Sequence, residues 1–117
     1  MATIRITDLK LKAIIGINDW ERKKEQGIII NLSLDFDSSR AAETDDIQHT
    51  VDYKALKKRI IGLVKRSKYF LLEKLVEEVL ALVMEDKKVL SATVRIDKPR
   101  ALRFARSVSV ESSRERK

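Results

Sequence analysis

The chain has 117 residues, 44% of them hydrophobic, which suits one modest core, a single domain over residues 1–117, and argues against wholesale disorder. It has no cysteine and one histidine, which excludes disulfides, zinc–thiolate sites, a thiol nucleophile and multi-histidine metal clusters, and disfavours a Ser-His-Asp triad. No apolar run reaches the roughly 18 to 20 residues of a membrane span, and Met1–Lys12 does not have a signal peptide's pattern, so the expectation is a soluble, cytoplasmic, metal-free protein.

The net charge is +7, and most of it is local. Residues 88–117 hold nine basic side chains against Asp97, Glu111 and Glu115. A basic patch of this kind attracts polyanions, either nucleic acid or a phosphorylated small molecule. With only six aromatic residues in the chain, and Phe104 alone among these arginines, recognition of a nucleic acid strand is disfavoured.

In chain order, Ile4 and Ile6 alternate with polar residues, and the apolar phase then shifts to Leu9, Leu11, Ala13 and Ile15. That is a strand with a bulge near Thr7–Asp8. The polar stretch Gly16–Gly27, with a glycine at each end, predicts a loop between strands. Ile28, Ile30, Leu32, Leu34 and Phe36 alternate with less apolar neighbours as a half-buried strand. The period then changes: Tyr53, Leu56, Ile60, Leu63 and Val64 predict one amphipathic helix, and Leu72, Leu75, Val76, Val79, Leu82 and Val83 a second. Leu90, Ala92, Val94 and Ile96 return to alternation, and a last strand carries Val108 and Val110. The order β-β-α-α-β-β predicts an α+β fold, a four-stranded antiparallel sheet with both helices on one face. The strand Ile28–Ser38 is read as a long open edge, which favours closing sheets of several subunits into a shared barrel, hence a homo-oligomer.

Polar residues at element ends are where a site would assemble. Glu21 lies in the first long loop, Tyr53 opens the first helix, Glu73 opens the second, and Lys98 ends the third strand before Pro99. Taken singly, each has an ordinary explanation: a charged loop, a core-edge anchor, a favourable charge at a helix N-terminus, a solvated lysine. His49 reads as a surface or capping residue.

Together, in this order and spacing, they resemble the dihydroneopterin aldolase and dihydroneopterin triphosphate 2′-epimerase family. The matching stretches are Ile14-Ile15-Gly16-Ile17 through Trp20-Glu21, Thr44-Asp45-Asp46 through Val51-Asp52-Tyr53, Leu71-Leu72-Glu73-Lys74-Leu75, and Val94-Arg95-Ile96-Asp97-Lys98-Pro99. The resemblance implies the T-fold, in which subunits pool their sheets into a barrel as a tetramer ring or octamer with sites between neighbours. It implies a pterin substrate, no cofactor, and no nucleic-acid or membrane partner. By the same resemblance Glu73 is the pterin anchor, assisted by main-chain groups near Val51 and Leu72. Lys98 and Tyr53 are the proton-transfer pair, and Glu21 positions the side-chain hydroxyls and water; Arg100 is a substrate-binding candidate through its guanidinium alone.

The implied reaction is retro-aldol opening of the C1′–C2′ bond, with the dihydropterin ring as its own electron sink. Departure of glycolaldehyde gives 6-hydroxymethyl-7,8-dihydropterin, a step towards folate; re-addition of the turned aldehyde inverts C2′. Asp19-Trp20-Glu21 looks like the aldolases, whereas Ala101-Leu102-Arg103 and Ser107-Val108-Ser109 look like the triphosphate epimerases. Arg100, Arg103 and Arg106 suit a triphosphate tail, although in an extended chain Arg103 would face away from the other two. The expectation is aldolase activity on 7,8-dihydroneopterin with epimerisation as a companion, and a dedicated triphosphate epimerase as the alternative.

Overall fold

Two-residue alternation shapes the first element. In a computed structural model, which describes all 117 residues, β1 runs Ala2–Ala13, with Ile4, Ile6, Leu9 and Leu11 half-buried and Thr3, Arg5, Lys10 and Lys12 exposed. The phase shift read from the sequence is a β-bulge. Ile6 pairs with Leu32 and Leu9 with Ile30, so Thr7 and Asp8 together oppose Asn31. Asp8 adopts a left-handed φ of 54°. Asn31 braces it, accepting the Asp8 N–H at 2.9 Å and donating to Asp8 Oδ1 at 3.2 Å.

Strand β2, Gln26–Phe36, buries Ile28, Ile30, Leu32, Leu34 and Phe36, with the residues between them only half-buried. A short helix that periodicity did not announce, α1 (Ser39–Thr44), follows. The His49 ring lies 2.7 Å from Thr44 Oγ1 and 3.1 Å from Arg40 Nη2, tying the next turn back to it.

Helix α2, Tyr53–Arg66, starts where the Asp52 carboxylate accepts the Ala55 N–H at 3.1 Å, which satisfies one of the free donors of a helix start. Lys65 and Arg66 sit in its last turn, opposite the negative end of the helix dipole. It buries Leu56, Ile60 and Val64, but Tyr53, expected on the same stripe, is 55% exposed. Helix α3, Leu72–Met84, buries Leu72, Leu75, Val76, Val79, Leu80 and Val83. Leu80 takes the buried place the stripe assigned to Leu82, because α3 is covered by both the sheet and α2 and so has a wider apolar face.

Strands β3 (Val89–Pro99) and β4 (Ser107–Glu115) complete an antiparallel sheet of order β1-β2-β3-β4. Both main helices lie on one face, α3 over β3 and β4 and α2 towards β1, around a core of 21 buried apolar residues. This matches the α+β architecture expected from the sequence. The edge assignment does not hold. The chain leaving β2 passes through the helices and returns on β2's free side, so Ile28–Ser38 lies almost wholly within an interior strand, and the open edges are β1 and β4. The face away from the helices is polar, with Lys10, Asn31, Ser33, Thr93, Arg95 and Glu111 along it.

Leu75 is fully buried, so Leu75→Ala leaves a cavity that the packed core refills only in part. It is expected to lower the unfolding free energy by about 2–5 kcal/mol, measured by urea denaturation. Leu63→Ala, at a half-buried position, should cost clearly less.

Candidate functional site

The loop between β1 and β2 is built around one carboxylate. Gly16 has a φ of 132°, and a Cβ there would stand 2.1 Å from Glu21 Cδ. Only glycine lets the Glu21 side chain fold back against the loop. A 3₁₀ turn, Asp19–Arg22, carries Glu21 inward. Its Oε1 accepts the Asn18 N–H at 3.2 Å and the Asn18 side-chain amide at 2.8 Å. Its Oε2 accepts Gln26 Nε2 at 2.9 Å and Lys98 Nζ at 2.8 Å. Gln26 also donates to the Ile15 carbonyl at 2.7 Å, closing the loop's neck.

Glu21 is only 4% exposed. Burial pushes its pKa up, but hydrogen bonds from Lys98, Gln26 and Asn18 outweigh burial and bring it down to about 2. The Lys98 and Glu21 side chains are 12% and 6% exposed, so this ion pair is screened little by solvent. Removing one partner strands the other's charge, a loss of about 3–5 kcal/mol in comparable buried pairs.

Arg22 fastens this loop to the one joining α2 to α3. Its Nη1 donates to the carbonyls of Gly16 at 3.1 Å and Tyr69 at 3.0 Å, and its Nη2 donates to that of Lys68. The guanidinium lies 4.0 Å from the Phe70 ring centroid, a cation–π contact, and the Gly16 N–H donates to the Tyr69 carbonyl at 3.3 Å. The segment entering α3 is thereby held against the Glu21 loop.

Of the residues singled out from the sequence, Glu21 and Lys98 meet directly. Glu73 is exposed in the first turn of α3, just past the Arg22 clamp, with Leu72 buried beside it. Val51 is buried ahead of α2. The N–H groups of Val51, Leu72 and Glu73 enter none of the backbone hydrogen bonds of loops and caps. Tyr53 is not hydrogen-bonded to Lys98, Glu21 or Glu73; its ring faces outward with Ile17, Trp20, Phe70 and Leu71, all large exposed apolar groups.

Arg100–Arg106 is not extended. Arg100 and Phe104 take left-handed φ values of 66° and 69°, and the Arg100 N–H donates to the Arg106 carbonyl at 3.2 Å. Arg100 and Arg106 thus stand together at the base of a loop with Arg103 near its tip, where its guanidinium lies 5.3 Å from the Phe104 ring.

Periodicity and the family-like stretches mark Gly16 as a loop boundary but do not single out Asn18, Arg22 or Gln26. The spacing Asn-x-x-Glu over residues 18–21, a helix-start signature, carries a signal for Asn18. Arg22 and Gln26 act through carbonyls and a carboxylate whose proximity depends on the folded chain.

Comparison with known proteins bears on the family and the fold. The family model for dihydroneopterin aldolase matches residues 4–113. A dihydroneopterin triphosphate 2′-epimerase of Pseudomonas aeruginosa is 44% identical over 110 residues, 94% of this chain and 89% of that protein. A dihydroneopterin aldolase of Haemophilus influenzae is 31% identical over 94% of this chain and 93% of its own. The crystal structure of Escherichia coli dihydroneopterin aldolase in complex with neopterin superposes with a TM-score of 0.92 at 26% identity, covering 97% of this chain and 99% of that one.

Because the Glu21 pKa is lowered from the ordinary 4.5 to about 2 in the fold, its stabilisation is fully present above about pH 4.5 and is lost as pH falls through about 2. The stability difference between the wild type and Glu21→Gln should therefore shrink steadily across that interval in denaturant titrations. A difference independent of pH there would show that the carboxylate's charge contributes nothing.

Proposed function

The chain belongs to the dihydroneopterin aldolase family and is an enzyme of that aldolase and epimerase group; from that premise we propose that it opens the C1′–C2′ bond of a 7,8-dihydroneopterin side chain and that its main substrate is the triphosphate ester, inverted at C2′. This reverses the order expected from the sequence, where cleavage of the unphosphorylated compound came first. Of the two relatives compared, the one named as an epimerase is the more similar, and Arg100 and Arg106 stand side by side at the strand end beyond Lys98. Aldolase cleavage remains the companion activity.

The observation that carries the reading is the amine of Lys98, held 2.8 Å from a buried carboxylate. The reaction begins with loss of the 2′-hydroxyl proton to a base. The C1′–C2′ bond breaks, C2′ becomes an aldehyde, and the bonding pair passes through C1′ into the ring C=N, giving an enolamine. As the ammonium of its ion pair with Glu21, Lys98 has no lone pair to offer. It therefore acts as base in its neutral form, after passing a proton to solvent, and then takes the hydroxyl proton directly or through a water. Glu21 already accepts four hydrogen bonds and has its pKa held near 2, so it is a positioning residue rather than the base.

Two fates then compete. Proton delivery to C1′ by Tyr53 commits the intermediate to cleavage, whereas rotation of the retained aldehyde and re-addition of C1′ gives the epimer. Glu73 pairs with the ring amino group and adjacent N–H as a bidentate acceptor, and the main-chain N–H groups of Val51 and Leu72 border the ring. Tyr53, far from any hydrogen bond with Lys98 in one protomer, serves a site completed by a second copy in a tetramer ring or octamer. The exposed Ile17, Trp20, Tyr53, Phe70 and Leu71 suit burial there.

The deciding experiment incubates the purified protein with 7,8-dihydroneopterin and, separately, with its triphosphate, then oxidises and separates the products with fluorescence detection. Monapterin triphosphate as the main product, with slower release of hydroxymethylpterin from the unphosphorylated compound, is expected. Cleavage of the unphosphorylated compound alone would restore the aldolase reading, and tight polynucleotide binding without pterin turnover would overturn both.

Lys98→Ala should lower turnover by about 10²–10⁴-fold while pterin still binds. Glu73→Gln, which sets a donor against a donor, should instead weaken pterin binding by about tenfold or more, read by equilibrium fluorescence.

A further inference from the structure

We propose that the open face of the sheet, at the end where Lys98 lies, carries a polyphosphate site built from Lys10, Lys12, Arg100 and Arg106, and that it holds the triphosphate tail of the substrate. The tail assignment rests on the triphosphate reading above; the site itself rests on the following geometry.

Two cavities adjoin on that face. One, of about 630 Å³, is bordered by Lys10, Lys12, Gly27 and Pro99–Arg100. The other, of about 330 Å³, shares Lys10, Ile29 and Pro99 with it and extends to Arg95 and Arg106. Together their walls carry five cations (Lys10, Lys12, Arg95, Arg100, Arg106) against two carboxylates, Asp8 and Asp97.

Both carboxylates already have partners in the cavity wall. Asp97 accepts Arg95 Nε at 3.2 Å on one oxygen and the Ser107 hydroxyl at 2.8 Å on the other, and Asp8 accepts the Asn31 amide. Lys10, Lys12, Arg100 and Arg106 enter none of the protomer's ion pairs. Four unpaired cations converging on one concavity repel each other, a cost that an anion in their midst removes.

The backbone is bent to produce this convergence. The left-handed turn at Arg100, of a kind that costs about 1–3 kcal/mol in a non-glycine residue, and its hydrogen bond to the Arg106 carbonyl keep the two arginines at the loop base. Across the sheet, the Asp8 bulge restores the alternation that brings Lys10 and Lys12 to the open face beside Ile29 and Gly27. Arg103, on the Phe104 ring near the loop tip, lies outside the site.

The occupant is a compact polyphosphate rather than a strand of nucleic acid. The walls contain no aromatic ring on which a base could stack, and guanidinium groups match phosphate oxygens two at a time. Lys98 reaches the helix side of the sheet to meet Glu21, while its neighbour Pro99 lines both cavities. A substrate whose reacting carbon lies at Lys98 therefore meets the cations by passing its tail around the strand end.

The test uses inorganic tripolyphosphate as probe, by calorimetry and by competition against the pterin triphosphate. Binding should weaken by about tenfold in Lys10→Ala/Arg106→Ala and likewise in the independent pair Lys12→Ala/Arg100→Ala, with unfolding midpoints unchanged. Lys88→Ala, at the other end of the sheet, should bind as the wild type does. KM for the triphosphate should rise several-fold more than KM for the unphosphorylated compound.

Wild-type tripolyphosphate affinity in both double variants would overturn the site, as would displacement of the probe by an oligonucleotide that the same variants fail to bind. Dependence of tripolyphosphate binding on these residues with no pterin turnover would leave the anion site standing and remove the proposed reaction. Turnover with no such dependence would do the opposite.

Discussion

A carboxylate buried in a loop needs neutralising from outside its own segment, and the arrangement around Glu21 follows from that requirement. Asn18 and Gln26 supply neutral donors from the two arms of the loop, but the charge is matched only by Lys98, 77 residues further on. Gly16 must lack a side chain so that the carboxylate can reach this place at all. The pair therefore couples the first loop to the end of β3. The same contact that satisfies a buried charge fixes the position of the Lys98 amine.

Arg22 extends the coupling to the helices. By holding the carbonyls of Gly16, Lys68 and Tyr69 it sets the approach of the chain to α3, and with it the first turn that presents Glu73. A single guanidinium, with its donors in a rigid planar fork, reaches these three carbonyls from two nitrogens at fixed relative positions. Lys98 and Glu73 are thus aligned through backbone contacts rather than through each other.

The two faces of the sheet have separate tasks. One is closed by α2 and α3 and supplies the core. The other stays polar, and its ion pairs and hydroxyl contacts, such as Arg95–Asp97 and Thr93–Ser113, are compatible with solvent. Bulge and arginine loop are departures from regular backbone at the same end of this face, and both alter where cations point. If the triphosphate reading proposed above holds, tethering the far end of the substrate on this face is a physical means of favouring re-addition of a retained aldehyde over its escape.

Element order, fold class, the bulge at Thr7–Asp8 and most of the core stripes are determined by the sequence alone, because they depend on periodicity and on the backbone freedom of single residues. Glu21, Tyr53, Glu73 and Lys98 were also legible as a set, through spacing that resembles a known family. Tertiary structure decided what periodicity cannot encode: that β2 is interior, since pairing partners are chosen by where the helices return the chain; that Tyr53 faces outward at the start of its helix; and that Arg100 and Arg106, which alternation already set apart from Arg103, meet at the base of a loop rather than along an extended strand, since left-handed φ angles at Arg100 and Phe104 turn the chain. The Glu21–Lys98 pair belongs to the same class, a contact between segments distant in the chain, where burial turns two otherwise ordinary charges into a fixed and chemically specific pair.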